Sequence, residues 1–402
     1  MAKGGAKIIW VHPHFLYWMG GTKYIYEVIK RLKRDFEMTV IVENAIPLAF
    51  ENYKKIGVKL VSLNKLSSTS PSYWLTLPYH IIKDRDSLLR ILRKLENQNS
   101  LIVSSMFPMN VVVSLLGKKH LQYCFEPFAF FHDPEFIKNF PPLKRHLVEL
   151  ASFLWSWLDV WATKKADKVV TLNNTTARYI KKVYGVTPDI SFTGIDTKHF
   201  RPFIGQDLKE KYKNKQIIVH STDYTPVKGT DKMIRIFAET KKIVPSAHLL
   251  ITSTIKNSKE ENNLKTLAKR LGVENFVEFL GFVDYEILPQ IYSLASVLVQ
   301  CSYSERSGTT SMALPVKEAM ACGTLAIRFP VKNEDVEDGI TGFLVDPRKT
   351  KKMVKKIVQV LKMNRKRYNI SSVKARNYIV NKYSWENTSN IIKANINALL
   401  KR

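Results

Sequence analysis

The chain has 402 residues and a formal net charge of +28, from 63 Lys and Arg against 35 Asp and Glu. Its 45% apolar and 11% aromatic content excludes a disordered chain, and its length accommodates two domains of ordinary size. No stretch reaches the ~18 consecutive apolar residues of a membrane-spanning helix. Cys124, Cys301 and Cys322 lie too far apart for a metal or redox spacing and read as reduced, mostly buried thiols.

Lys7–Val11 reads as a buried strand, entered from a short basic start without the apolar core or cleavage site of a signal peptide. The expected location is therefore cytoplasmic. Trp18-Met-Gly-Gly-Thr22 follows, then an amphipathic helix over roughly Tyr24–Lys33. Gly20 and Gly21 permit close backbone approach, and a helix N-terminus offers free N–H groups to a phosphate or sugar oxygen. A plain loop fits that pair of glycines equally well. Met38–Val42, Ile102–Ser105, Gln122–Cys124 and Lys168–Thr171 read as further strands, separated by helical stretches such as Ser87–Leu95. This alternation predicts a parallel sheet covered by helices on both faces. Asp84-Arg85-Asp86 has the D-x-D spacing of some metal sites, but it reads as the charged start of a helix, with no metal implied.

Between Leu143 and Ala166, Leu147, Leu150, Ala151, Leu154, Trp157, Leu158 and Trp161 recur at helical spacing. Phe153 and Trp155 add aromatics, and Lys144, Arg145, Lys164 and Lys165 bracket the run. Two readings stand. One is a core helix packed on the sheet through its leucines, with some tryptophans turned outward. The other is a helix lying on a bilayer interface. The net charge has two readings as well, a solvated lysine-rich surface or attraction to an anionic leaflet.

The strand–helix pattern restarts at Ile217–Val219 and continues through Leu249–Ile251, Val277–Leu280, Val297–Gln300 and Leu325–Ile327. Pro226-Val-Lys-Gly-Thr-Asp231 follows the first of these strands, where a fixed Lys228 could stabilise a departing diphosphate. A solvated turn lysine is the plainer alternative. From Leu314 the chain reads as helix, glycine stop at Gly323, buried strand, turn at Asp338-Gly339 and second strand. Glu318 fits either a dipole-complementing acid or an acceptor of two hydrogen bonds from a ribose diol at the carboxyl edge of the sheet.

Glu318-Ala-Met-Ala-Cys-Gly323 followed by Asp338-Gly-Ile-Thr-Gly-Phe-Leu-Val345 resembles the nucleotide-binding segment of the family-4 glycosyltransferases of the GT-B fold. Thr193-Gly-Ile-Asp196 with Phe200-Arg-Pro202 resembles the family's interdomain signature, with Thr193 in place of Asn. The amphipathic stretch after Tyr383-Ser-Trp-Glu386 resembles the helix that crosses back to the first domain. The resemblance implies two Rossmann-like α/β domains facing across a cleft: 1–195 for the acceptor and 196–382 for the nucleotide sugar, with 383–402 returning to the first.

The resemblance implies further that Lys228 holds the diphosphate, Glu318 the ribose, and Gly20 and Gly21 the cleft face of the first domain. Phe282 would flank the base, and Gly308, Thr309 and Thr310 would wrap the donor. Three positions depart from the family. Phe125 stands where a histidine is usual, Asp223 where an arginine is usual, and Thr310 where the first of two glutamates is usual. Glu305 is the nearest upstream acid. Glu126 is a candidate for the missing polar role, and His14, Trp18 and His132 are candidates on the acceptor side.

The function so implied is metal-independent transfer of a sugar from a UDP- or GDP-linked donor, with retention and without a cofactor. The acceptor would be a lipid-linked or other glycan at the cytoplasmic membrane surface. A nucleotide-sugar epimerase, or a homologue that binds a nucleotide sugar without turnover, is the alternative. A nucleic-acid binder would account for the charge but for none of these motifs.

Overall fold

The computed structural model describes residues 5–18, 20–63, 73–74, 76–138, 140–253, 259–302, 314–330 and 335–401. The chain divides into two compact units, residues 1–193 with 385–402, and residues 194–384.

The first unit contains strands β1 (Lys7–Phe15), β2 (Glu37–Ala45), β3 (Lys59–Ser62), β4 (Ser100–Ser105), β5 (His120–Tyr123), β6 (Lys168–Thr171) and β7 (Asp189–Ile190). They form one parallel sheet in the order β3-β2-β1-β4-β5-β6-β7. The order reverses between β1 and β4, the switch point at which open α/β sheets of this Rossmann type bind ligands. Strand alternation divides β1 between two cores. Ile8 and Trp10 pack with the Gly21–Leu32 helix, while Ile9 and Val11 pack with the Leu77–Leu95 helix.

The C-terminal helix Trp385–Leu400 belongs to this unit. Ile392, Ile396 and Leu399 join the core beside Trp10 and Val28, and the Trp385 ring meets Tyr24 edge-on at 5.4 Å. Each such side chain contributes roughly 1.5–3 kcal/mol through burial.

Two local expectations are corrected. The helix expected from Ser87 begins at Leu77, so Asp84-Arg85-Asp86 lies inside it. Its buried stripe is Leu77, Ile81, Asp84, Leu88 and Leu92, and a buried aspartate in the middle interrupts the apolar periodicity. Asp84 is enclosed, whereas Asp86 faces solvent and pairs with Arg85 at 2.9 Å. The second correction concerns Pro142–Lys165, whose leucines, Leu158 apart, do not face the core. Leu147, Leu150, Leu154 and Trp157 are exposed, while Trp155, Leu158, Trp161 and Ala162 pack inward. Asp159 lies on the inward face, where Asn110 Nδ2 (2.8 Å), Tyr184 Oη (2.6 Å) and His132 Nε2 (3.0 Å) surround its carboxylate. Hydrogen bonding, invisible to an apolar count, decides which side of this helix is buried. Among the described residues no helix is long and apolar enough to cross a membrane.

The second unit contains β8 (Gln216–Thr222), β9 (Ala247–Ser253), β10 (Val277–Gly281), β11 (Val297–Val299), β12 (Leu325–Arg328) and β13 (Gly342–Leu344). These form a parallel sheet ordered β10-β9-β8-β11-β12-β13, with its switch point between β8 and β11. The run Asp338–Val345 builds its edge. Asp338 Oδ1 accepts from the Leu344 N–H at 2.9 Å, and a Cβ on Gly342 would stand 2.4 Å from the Ala326 carbonyl. That glycine is required by backbone proximity.

At the end of β12, the buried Arg328 guanidinium donates to both oxygens of buried Asp335 at 2.6 and 2.5 Å. Asp335→Ala would leave the guanidinium without this carboxylate in a low-dielectric setting. We expect a stability loss of about 3–5 kcal/mol for the second unit, read by urea denaturation against wild type.

Candidate active site

The second unit brings two of the sequence-derived residues to one sheet edge. Lys228 lies in the turn after β8, and Glu318 lies in the Leu314–Ala321 helix before β12. Glu318 is a full turn inside the described part of that helix, and helix-dipole effects fade beyond the first turn. Tyr292 donates its hydroxyl proton to Glu318 Oε2 at 3.3 Å and stands 3.2 Å from Ser221 Oγ, which in turn meets Thr252 Oγ1 at 2.7 Å. Burial, reinforced by the Glu318 carboxylate, pushes the Tyr292 hydroxyl well above its ordinary pKa, so it remains a donor. Tyr292 was not legible as a site residue, because an aromatic on a short helix reads as core.

The turn that carries Lys228 is fixed by an ordered hydrogen-bond chain. The Tyr224 N–H donates to Thr222 Oγ1 (2.9 Å), which lies 2.7 Å from Thr230 Oγ1. Thr230 Oγ1 is 3.2 Å from His220 Nε2, and His220 Nδ1 is 2.8 Å from the Val299 carbonyl. A carbonyl only accepts, so Nδ1 carries the proton and Nε2 accepts from Thr230. Burial lowers the His220 pKa to about 4, which keeps the ring neutral. Gly229 closes the turn at φ +65, and a Cβ there would lie 2.7 Å from the Cys301 carbonyl.

Asp223, in the position of the family's arginine, accepts from the Thr225 N–H and hydroxyl at 3.0 and 2.5 Å. Its other oxygen stands 3.8 Å from Lys228 Nζ. This residue shapes the turn and faces the lysine with a negative charge. Phe282 follows β10 at the same edge of the sheet and is exposed. Glu305, Gly308, Thr309 and Thr310 lie outside the described residues.

In the first unit, Gly20 and Gly21 follow β1. Gly20 has φ 52 and ψ −121, a conformation accessible essentially to glycine alone. Phe125 packs over the start of this helix, with its ring 3.7 Å from where a Gly21 Cβ would be. His12 Nδ1 is 2.9 Å from Ser105 Oγ, and burial with a smaller effect of His14 lowers its pKa to about 3. His14, partly exposed at the end of β1, is also shifted down by burial and stays neutral near pH 7. Trp18 packs edge-on against Tyr26 at 5.1 Å and Tyr53 at 6.5 Å. His132 is held through Nε2 by Asp159, and Tyr179 donates to its carbonyl. Solvent reaches Glu126, yet surrounding protein atoms crowd it, and that crowding with the Asp133 carboxylate raises its pKa.

The chain belongs to the family-4 glycosyltransferases of the GT-B fold. The model for glycosyltransferase family 4 matches residues 18–199, and that for glycosyl transferases group 1 matches residues 206–377. The D-inositol 3-phosphate glycosyltransferase of Acidothermus cellulolyticus is 29% identical over 197 residues, 45% of this chain and 42% of that relative. The chain thus spans less than half the length of this curated relative. A glycosyltransferase from Rickettsia africae has the same fold, with a TM-score of 0.75 at 17% identity over 99% of each chain. Anabaena HepE in complex with UDP gives 0.70 at 16% identity, over 98% of this chain and 100% of that one.

His220 links this architecture to pH. Its unfolded pKa is near 6.5 and its folded value about 4, so the unfolded state binds more protons between them. Its contribution to stability is complete above pH 6.5 and is lost as pH falls towards 4, by roughly 3 kcal/mol in all. Denaturation from pH 7 to 4 should show a shallower pH slope for His220→Asn than for wild type.

Proposed function

We propose that the protein transfers a sugar from a UDP- or GDP-linked donor, with retention, to a lipid-linked or other glycan acceptor. The transfer is placed at the cytoplasmic face of a membrane, with the protein bound peripherally. The observation that carries the reading is the joint placement of Lys228, on a turn fixed by buried hydrogen bonds, and Glu318, on a helix and held by Tyr292, at the β8/β11 switch point. In this reading Glu318, oriented by Tyr292, accepts from the ribose hydroxyls. Lys228 meets the diphosphate together with the N–H groups at the start of the Thr230–Ile243 helix.

Charge developing on the departing diphosphate is stabilised by groups held in place beforehand, so little reorganisation is needed during reaction. In this reading the reaction uses neither a metal nor a cofactor, with the nucleotide sugar as cosubstrate. Family membership supports the reading, as do the complexes of the fold neighbour HepE with UDP and with UDP-glucose. Gly20, Gly21 and Phe282 complete the proposed donor contacts, and Gly308, Thr309 and Thr310 retain the donor role assigned from sequence. Neutral His14 is the polar group on the acceptor side, with Trp18 and His132 as further acceptor-side residues, and Glu126 is held for proton transfer. The +28 charge supports an anionic membrane surface.

The Asp223 carboxylate beside Lys228 favours a second reading, in which the chain binds a nucleotide sugar without turnover. Calorimetric titration of UDP, GDP and ADP at fixed salt separates specific binding from general polyanion attraction. We expect one nucleotide to bind in the micromolar range, and Lys228→Ala to weaken it tenfold to a hundredfold, about 1.5–3 kcal/mol. Equal, salt-sensitive binding of all three would refute the donor site. Release of nucleoside diphosphate from the sugar donor in the presence of acceptor, with EDTA added, decides between turnover and binding alone. His14→Ala should lower transfer while leaving nucleotide affinity unchanged.

A further inference from the structure

A pocket of about 470 Å³ opens within the first unit, at the carboxyl ends of β1 and β4. This volume lies in the ~300–1,000 Å³ range of small-molecule sites. Its inner part is aromatic. The Trp74 ring stacks on Phe128 at 5.8 Å and Phe107 at 6.2 Å, and Trp155 Nε1 donates to the Trp74 carbonyl at 3.1 Å. The indole N–H of Trp155 is therefore satisfied by protein. One wall is formed by Leu147, Leu150 and Leu154, the outward leucines of the Pro142–Lys165 helix. His14 and Tyr17 line the side nearest the end of β1. Lys144 also lines the pocket, with Arg145 next in the chain, and no carboxylate is among the described lining residues.

We propose that this pocket holds the hydrocarbon chain of the acceptor, a glycan carried on a phosphate-headed amphiphile. A hydroxyl oxygen of that glycan bonds to the donor sugar's anomeric carbon as the bond from that carbon to the diphosphate breaks. The nucleoside diphosphate leaves with the electron pair, and the hydroxyl proton is released. The proposal rests on the glycosyltransferase reading and names the acceptor class. An extended peptide would leave its N–H and C=O groups unpaired against carbon-lined walls, whereas an acyl or prenyl chain has no such groups. Lys144 and Arg145, with no acid among the described lining residues, complement a phosphate head. The exposed apolar face continues from the pocket wall through Leu143, Phe153 and Trp157, flanked by Lys144 and Arg145. Such a face suits an amphiphile delivered from a membrane surface. His14 borders the pocket at the end of the strand that leads into Gly20 and Gly21, so a head group beside His14 lies at the first unit's switch point.

The test titrates dodecyl phosphate, below its micelle-forming concentration, into the full chain and follows tryptophan fluorescence. UDP and GDP are titrated separately into the same preparations by calorimetry. The expected result is saturable one-to-one binding, weakened at least tenfold by Leu150→Glu and by Ala151→Trp, which fills the pocket. Phe153→Glu, on the exposed face outside the pocket, should leave it unchanged. Absence of saturable binding to wild type overturns the proposal, and this arm needs no variant to fold. Equal weakening by Phe153→Glu also overturns it, in favour of general adhesion to the exposed apolar face. Dodecyl phosphate binding without binding of either UDP or GDP sinks the donor reading while sparing the pocket. Binding of UDP or GDP without dodecyl phosphate binding does the reverse.

Discussion

At the centre of the second unit two backbone segments approach so closely that only glycine fits between them. The turn after β8 passes Gly229 against the Cys301 carbonyl at the end of β11. Thr222, Thr230 and His220 join the same two strand ends through a directed chain of hydrogen bonds. The tautomer and neutrality of one buried histidine thus decide the order of the chain, and through it the turn that presents Lys228. A second chain, through Ser221 and Tyr292, does the same for Glu318. Because both begin on β8, disturbing that strand would displace both candidate donor groups.

The two units repeat one topology but furnish their switch points differently. In the second, hydroxyls and a neutral imidazole fill the space between strand ends, which suits a polar, charged ligand. In the first, aromatic rings gather beyond β4, and Phe125 covers the start of the Gly21–Leu32 helix. The motif departures follow this division. Phe125 makes the first unit's switch point less polar, whereas Asp223 adds a carboxylate beside Lys228 and rigidifies its turn. Both changes bear on ligand choice, since the parallel sheets are complete around them.

Much of the architecture was legible in the residues. Short apolar runs located the strands other than the edge strands β3 and β7, and the Glu318–Gly323 and Asp338–Val345 segments placed the second unit's sheet edge and its likeness to a family. Gly20, Gly229 and Gly342 stand where the backbone requires glycine, for reasons of φ or of a neighbouring carbonyl. The errors share one cause. Asp84 and Asp159 are buried acids on inward helix faces, and a reading based on apolar spacing counts such residues as exposed. Asp84 therefore hid the first turns of the Leu77–Leu95 helix. Asp159 sits with Leu158 on the buried face of Pro142–Lys165, while Leu147, Leu150 and Leu154 face outward.

The sequence by itself determined the alternation of strands and helices, the family, and Lys228 and Glu318 as candidate donor residues. These depend on local periodicity and on residue types at fixed spacing, which the linear chain records directly. Only the tertiary structure decided that Tyr292 orients Glu318, that His220 is neutral with its proton on Nδ1, and that the leucines of Pro142–Lys165 wall an aromatic pocket. Each depends on partners distant in sequence, such as Thr230 for His220 and Trp74 for Trp155. Hydrogen-bond direction and helix facing are properties of those encounters, so they arise only when the chain has folded.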